Sequence, residues 1–177
     1  MKTTADGQWW IPTGGSTLPE LASEIARAAH GDQRDKAGRA YIDHPRRVAA
    51  RLAGQGESPE TVAAGWLHDV LEDTAVSADD LLAAGVPAEV VAAVESVTHH
   101  DGESQADYAE RVRACPMGLK VKLADLADNS DPARLALLDD QTRQRLTAKY
   151  ERMSRLLSTS AVTACIPAPS MAEECTR

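Results

Sequence analysis

The 177-residue sequence predicts an all-α fold in a single domain, and three observations carry that expectation. Hydrophobic residues make up 43% of the chain, yet Phe is absent and Trp and Tyr number only three each. A core drawn mainly from Ala, Leu and Val suits close-packed helices better than a β-sandwich. Apolar residues recur at helical spacing between cap residues, prolines and glycines. The sequence has no internal repeat, no alternation of strand-like and helix-like segments, and no Gly-rich phosphate loop. The length is enough to bury one sizeable core.

The elements follow in order. Residues 1–16, with Trp9 and Trp10 side by side, lack a helical period and are expected to form a loose leader. Thr17 or Ser16 caps a helix starting at Leu18, with Pro19 in its first turn and Leu21, Ile25, Ala28 and Ala29 as its apolar stripe. Residues 31–45, "GDQRDKAGRAYIDHP", carry two glycines and many charges and read as a loop. Pro45 suits the first turn of the next helix, whose Val48, Ala49 and Leu52 face inward. Ser58 and Pro59 then start the helix that holds "GWLHDVLEDT" (65–74). Residues 77–100 read as two short helices divided at Gly85, Val86 and Pro87. "SQADYAERVRA" is a further amphipathic helix. "LKVKLADLADN" follows Pro116, and 133–157 reads as one long amphipathic stretch. The expected organisation is a leader (1–16), one domain (17–157) and a Ser-, Thr-, Ala- and Pro-rich tail (158–177).

Charge and cysteine usage narrow the function. A net charge of −8 argues against binding a nucleic-acid polymer, which normally needs a basic face. It leaves room for a small phosphorylated ligand held by a metal or a few local cations. Cys115, Cys165 and Cys175 form no CxxC pair, so reduced thiols in a cytoplasmic protein are expected. No stretch is long and apolar enough to span a membrane, and the N-terminus lacks signal-peptide features.

The segment at 65–74 carries the chemistry. Placed on a continuous helix, His68 and Glu72 share a face, and Asp69 and Asp73 do the same one position round. Their neighbours Trp66, Leu67, Val70 and Leu71 are apolar, and burying uncompensated acids among them is costly. A bound divalent cation offsets that charge. His44, at a loop-to-helix junction, and Asp125, with Asp128 and Asn129 a turn later, offer the same chemistry. Two imidazoles and two carboxylates fit Mn²⁺, Fe²⁺ or Zn²⁺ better than Ca²⁺. Such an ion lowers the pKa of a bound water and polarises a phosphoryl oxygen, and Glu72 or Asp73 can orient or deprotonate that water.

The ordered set "HGDQRDKAGRAYIDHPRRVA", "GWLHDVLEDT", "VT" and "KVKLADLADN" resembles the HD-domain superfamily. More narrowly, it is similar to the hydrolase domain of RelA/SpoT-type alarmone enzymes and to small stand-alone alarmone hydrolases, over residues 18–157 or so. The resemblance implies a helical domain around one metal ion, usually Mn²⁺, and removal of the 3′-pyrophosphate from guanosine tetra- or pentaphosphate. It puts His44, His68, Asp69 and Asp125 at the metal-ligand positions and Glu72 and Asp73 at the acidic pair that activates water. Lys36 falls on a basic residue facing the substrate phosphates, and Asn129 on an Asn near the substrate. Two departures stand out. Asp35 occupies the place of an Arg that packs on guanine, with Arg34 beside it as the substitute, and Ser130, Asp131 and Pro132 replace the usual residues after Asn129. No synthetase segment follows, so the expected activity is degradation only. The alternatives are hydrolysis of another nucleotide, such as a nucleoside monophosphate or an adenosine analogue, and nucleotide binding without catalysis.

The remaining polar residues receive plainer readings. His99, His100 and Asp101 are expected at a solvated helix end, and His30 at a helix terminus. Arg46 and Arg47 suit either phosphate binding or an exposed basic turn. Trp66 is expected in the core, and Lys122 as a partner of a phosphate or a carboxylate.

Overall fold

The computed structural model describes residues 15–158. It is a helical assembly: α1 (Leu18–His30), α2 (Asp43–Gly54), α3 (Pro59–Leu67), α4 (Val70–Asp73), α5 (Ala78–Ala83), α6 (Ala88–Val97), α7 (Gln105–Ala114), α8 (Pro116–Asn129), α9 (Pro132–Leu135) and α10 (Asp140–Ser158). Among the described residues the β content is one isolated bridge between Arg34 and Ala40. The leader with Trp9 and Trp10 and the tail beyond Ser158 lie outside the described residues.

Local signals set the helix ends. The Glu20 carboxylate accepts hydrogen bonds from the Thr17 backbone N–H (2.8 Å) and hydroxyl (2.9 Å), fastening the start of α1. Ser58, Ser77 and Ser104 cap α3, α5 and α7 by accepting from the N–H of Thr61, Asp80 and Asp107.

Helix α3 is the hub, with α1, α2, α6 and α8 all packed against it. Its composition explains the position: Thr61, Val62, Ala63, Ala64, Gly65 and Leu67 are all buried, so apolar or small residues surround the whole helix. Small side chains let neighbours approach. A Cβ on Gly65 would meet the Leu52 side chain of α2 at 2.6 Å. A second apolar cluster, with Tyr108, Val112, Leu126 and Met153, joins α7, α8 and α10. Val121 and Ala124 of α8 belong to the first cluster and Leu126 to the second, so α8 is shared between them.

Two expectations are corrected here. The 66–73 segment is not one helix: α3 stops at Leu67, His68 and Asp69 form a turn, and α4 resumes at Val70. The His68 ring supplies the reason, because its Nδ1 donates to the Gly65 carbonyl (2.9 Å), the acceptor that the Asp69 N–H would use in an unbroken helix. Likewise 133–157 is split. Asp139 Oδ1 accepts from the Thr142 N–H (2.9 Å), a cap that starts a new helix and leaves 136–139 as a linker.

Helix α8 meets α6 at Gly118, where an added Cβ would overlap Ser96 Oγ and sit 3.3 Å from the Ala93 carbonyl oxygen. Gly118→Val should therefore lower stability by about 2 kcal/mol in equilibrium urea unfolding, the usual cost of overpacking. A variant as stable as the wild type would show that the α6–α8 contact yields without cost.

Candidate metal centre and cleft

Four side chains brought from three places in the chain converge below one cleft. His44 lies in the first turn of α2, His68 and Asp69 in the α3–α4 turn, and Asp125 in α8. His44, His68 and Asp69 offer ligand atoms that all lie within 4.8 Å of one another. His44 Nε2 is 3.2 Å from His68 Nε2 and 3.5 Å from Asp69 Oδ2, and His68 Nε2 is 3.0 Å from Asp69 Oδ2. Asp125 Oδ1 closes the group at 3.1 Å from His44 Nε2 and 3.8 Å from His68 Nε2. Ligands bound at about 2.1 Å from an ion stand about 3.0 Å apart at right angles and about 3.4 Å apart at tetrahedral angles. The donor spacing fits such an ion.

The surrounding hydrogen bonds make the same point chemically. His68 Nδ1 faces a carbonyl, which can only accept, so that nitrogen carries the proton. His44 Nδ1 faces Asp128 Oδ2 at 2.7 Å and is a donor by the same argument. In each neutral ring the lone pair is then on Nε2, and both Nε2 atoms point at carboxylate oxygens. Electron pairs gathered at one buried point call for a cation. Without an ion a proton takes that role on His44: burial opposes its charge, but hydrogen bonds to Asp125 and Asp128 outweigh it and lift the ring to about 9. His68 is raised too, with Asp69 overcoming its burial. Asp69 and Asp125 are both held below the usual carboxylate range despite burial, Asp69 chiefly by His68 and Asp125 chiefly by Lys122.

Each ligand has a support. Asp128 also accepts from Arg47 Nε (2.7 Å) and from Arg134, and His44 first, then Arg47 and Arg134, hold its carboxyl down at about 2 against its burial. Lys122 Nζ donates to Asp125 Oδ2 (2.8 Å), and Asn129 Nδ2 to Asp125 Oδ1 (2.5 Å). Tyr41 Oη touches both Asp69 Oδ2 (2.7 Å) and Asp73 Oδ2 (2.8 Å), bridging a ligand to the acidic pair. Burial and the neighbouring Asp69 and Asp73 carboxylates keep its phenol protonated.

Above this group opens a cleft of about 430 Å³. Arg34, Lys36, Arg39, Arg47, Lys122, Arg134 and Lys149 all line it, so an acidic protein concentrates seven basic side chains at one place. Leu138, Leu146, Tyr150 and Met153 supply an apolar wall. Glu72 and Asp73 also line the cleft, and Glu72 Oε2 accepts from the His99 backbone N–H (3.0 Å).

The structure thus brings His44, His68, Asp69 and Asp125 together, and places Glu72, Asp73, Lys36, Arg34 and Asn129 on the same cleft. Arg47 joins them, whereas Arg46 is exposed and paired with Asp43. Lys122 is a carboxylate partner. Of the two acidic departures, Asp35 lines the cleft with one carboxylate oxygen taken up by backbone, and Asp131 is not among the lining residues. Asp35 Oδ1 accepts from the Ala37 and Arg39 N–H groups (both 2.9 Å), closing a tight turn in which Gly38 takes φ +76°. Asp131 Oδ1 accepts from Ala133 N (2.7 Å) and caps α9. Sequence reasoning missed Tyr41, Arg134, His99 and the orienting role of Asp128. For Asp128, its position one turn after Asp125 was the available signal.

Asp128→Asn should weaken binding of a divalent transition metal by roughly 10- to 100-fold in a chelator competition, because the carboxylate fixes the His44 tautomer. Unchanged affinity would remove Asp128 from the support of the site.

Comparison with known proteins agrees with this geometry. The family model for the HD domain matches residues 22–161. The guanosine-3′,5′-bis(diphosphate) 3′-pyrophosphohydrolase of Aquifex aeolicus strain VF5 is 32% identical over 145 residues, covering 76% of this chain and 21% of that protein. The bifunctional (p)ppGpp synthase/hydrolase SpoT of Escherichia coli K12 is 34% identical over 147 residues, covering 78% of this chain and 21% of that protein. The probable guanosine-3′,5′-bis(diphosphate) 3′-pyrophosphohydrolase of Synechocystis sp. PCC 6803 is 44% identical over 126 residues, covering 66% and 16%. This chain therefore spans about a fifth or less of the length of these curated relatives. A solved structure of a metazoan ortholog of SpoT has the same fold, with a TM-score of 0.68 at 23% identity over 83% of this chain and 89% of that one. With the HD-domain match spanning most of its length and its His-Asp pair at the buried donor cluster, this chain belongs to the HD domain family.

Proposed function

We propose that this chain is a divalent-metal-dependent phosphohydrolase that removes the 3′-pyrophosphate from guanosine tetra- or pentaphosphate. The observation that carries the reading is the donor set of buried His44, His68 and Asp125 with half-buried Asp69 at the floor of a cleft lined by seven basic side chains. The activity named for its relatives supplies the substrate. The catalytic unit is residues 17–157.

His44, His68, Asp69 and Asp125 hold the ion, with Mn²⁺ the proposed occupant. A bound divalent ion supplies acidity to a water and draws charge from a phosphoryl oxygen. Glu72 and Asp73 orient the attacking water and receive its proton, and Tyr41 holds Asp73 in place through its hydroxyl. Lys36, with Arg34 and Arg39 on the same loop, faces the phosphates and counters the charge that develops at phosphorus. Asn129 holds Asp125 and edges the substrate cleft. The nucleoside packs on the apolar wall made by Leu138, Leu146, Tyr150 and Met153. The second reading is hydrolysis of another nucleotide, such as the adenosine analogue, because residue 35 is an Asp and offers no cation to pack on guanine.

The deciding measurement is a hydrolysis screen on Mn²⁺-loaded protein with Asp69→Ala as the blank. The panel contains guanosine tetraphosphate, its adenosine analogue and ordinary mono-, di- and triphosphates. Pyrophosphate release from guanosine tetraphosphate in the wild type alone is the expected result. Activity confined to another nucleotide would overturn the substrate and keep the chemistry. Glu72→Gln should retain the metal while turnover falls by roughly 10²- to 10⁴-fold, the usual range for a lost general base. Turnover equal to the wild type would remove Glu72 from the mechanism.

A further inference from the structure

His99 is the imidazole in the cleft that takes no part in the metal group. It follows Thr98, the C-cap of α6, and lines the cleft together with Glu72, Lys122 and Lys149. Its ring lies on the Tyr108 ring at 3.8 Å between centroids and 15° between planes. Tyr108 is a rigid platform: it is fully buried, and its hydroxyl donates to the Val97 carbonyl at 2.7 Å. The Arg111 guanidinium and Lys122 ammonium lie 5.3 and 5.5 Å from the Tyr108 ring centroid. The His99 backbone is fastened as well, by its N–H to Glu72 Oε2. Among the described residues neither ring nitrogen of His99 has a hydrogen-bond partner. An imidazole held at both ends, with open nitrogens in a basic cleft, is arranged to meet an anion.

We propose that His99 is a proton-linked anion contact, which binds a phosphoryl oxygen of the nucleotide as a cation and takes up a proton from solvent as the anion enters. This rests on the reading of the cleft as a phosphorylated-nucleotide site. The groups facing His99 are Glu72 from α4, Glu103 from the turn before α7, Tyr108 from α7, Lys122 from α8 and Lys149 from α10. Partial burial on Tyr108, reinforced by Lys122 and Lys149, disfavours its charge, while Glu72 and Glu103 favour it. Glu103 is bound to Arg111 (2.6 and 2.9 Å) and Glu72 to the His99 backbone, so neither neutralises the ring directly. A doubly charged phosphate beside the nitrogens reverses the balance. Histidine is the side chain able to make this change near neutral pH.

The test is calorimetric titration of the full-length, Mn²⁺-loaded protein with inorganic pyrophosphate, in two buffers of different ionisation enthalpy. Wild type, His99→Gln, His99→Lys and His99→Phe are compared, with thermal unfolding as the check on folding. The wild type should take up more protons than His99→Gln on binding. Its affinity should fall by about tenfold relative to that variant between pH 6 and pH 8, as expected for losing one cationic contact. His99→Lys should bind equally well at both pH values, and His99→Phe, which keeps the stack, should behave as His99→Gln. Equal proton uptake in wild type and His99→Gln, or no pyrophosphate binding by the wild type, overturns the proposal. Because the readout needs no turnover, a wild type that shows the uptake yet leaves guanosine tetraphosphate intact refutes the substrate alone.

Discussion

The structure depends on one electrostatic constraint: two imidazole lone pairs and two carboxylates share a buried point. Such a cluster is expensive to bury without a counter-charge. The fold meets the cost with a layer of oriented partners, namely Asp128, Lys122, Asn129, Tyr41 and the Gly65 carbonyl. Arg47 and Arg134 then satisfy Asp128 in turn. Each donor is therefore fixed in direction before an ion arrives, which is what turns a set of polar residues into a binding site.

The helix arrangement follows from that need. The hub helix α3 is apolar all round and would continue, but it ends where His68 claims the Gly65 carbonyl. The turn swings His68 and Asp69 toward His44 instead of leaving them on successive helix faces. Helix α8 has a double duty. One part of it packs Val121 and Ala124 into the core around α3, while Lys122 and Asp125 reach the metal group.

Charge distribution divides the molecule by task. A chain with a net charge of −8 repels polyanions at long range, yet seven basic side chains line its cleft. Lys36 is lowered by its partial burial and by the like charges of Arg145 and Lys149, a repulsion that any anion placed beside it would relieve. The acids that interrupt this pattern are spent on backbone: Asp35 closes the 35–39 turn and Asp131 caps α9. The 136–139 linker, opened by the Asp139 cap, places Leu137 and Leu138 against the cleft.

The helical class, the caps at Thr17 and Ser58, the division at Gly85–Pro87 and the residue types of the donor set were all legible in the sequence. Those signals are local: a cap or a proline acts within one turn, and His-Asp beside apolar residues already implies compensation. The remaining features depend on contacts between distant segments. The break at His68–Asp69 arises from a side chain competing for a backbone acceptor, which helical periodicity does not encode. Tyr41 and His99 became site residues only when the 31–42 loop and the end of α6 were folded against α4 and α7, because the carboxylates that accept from them lie 28 and 32 residues away for Tyr41 and 27 away for His99. That Asp35 lines the cleft while its Oδ1 closes the 35–39 turn was likewise decided by the geometry of one tight turn.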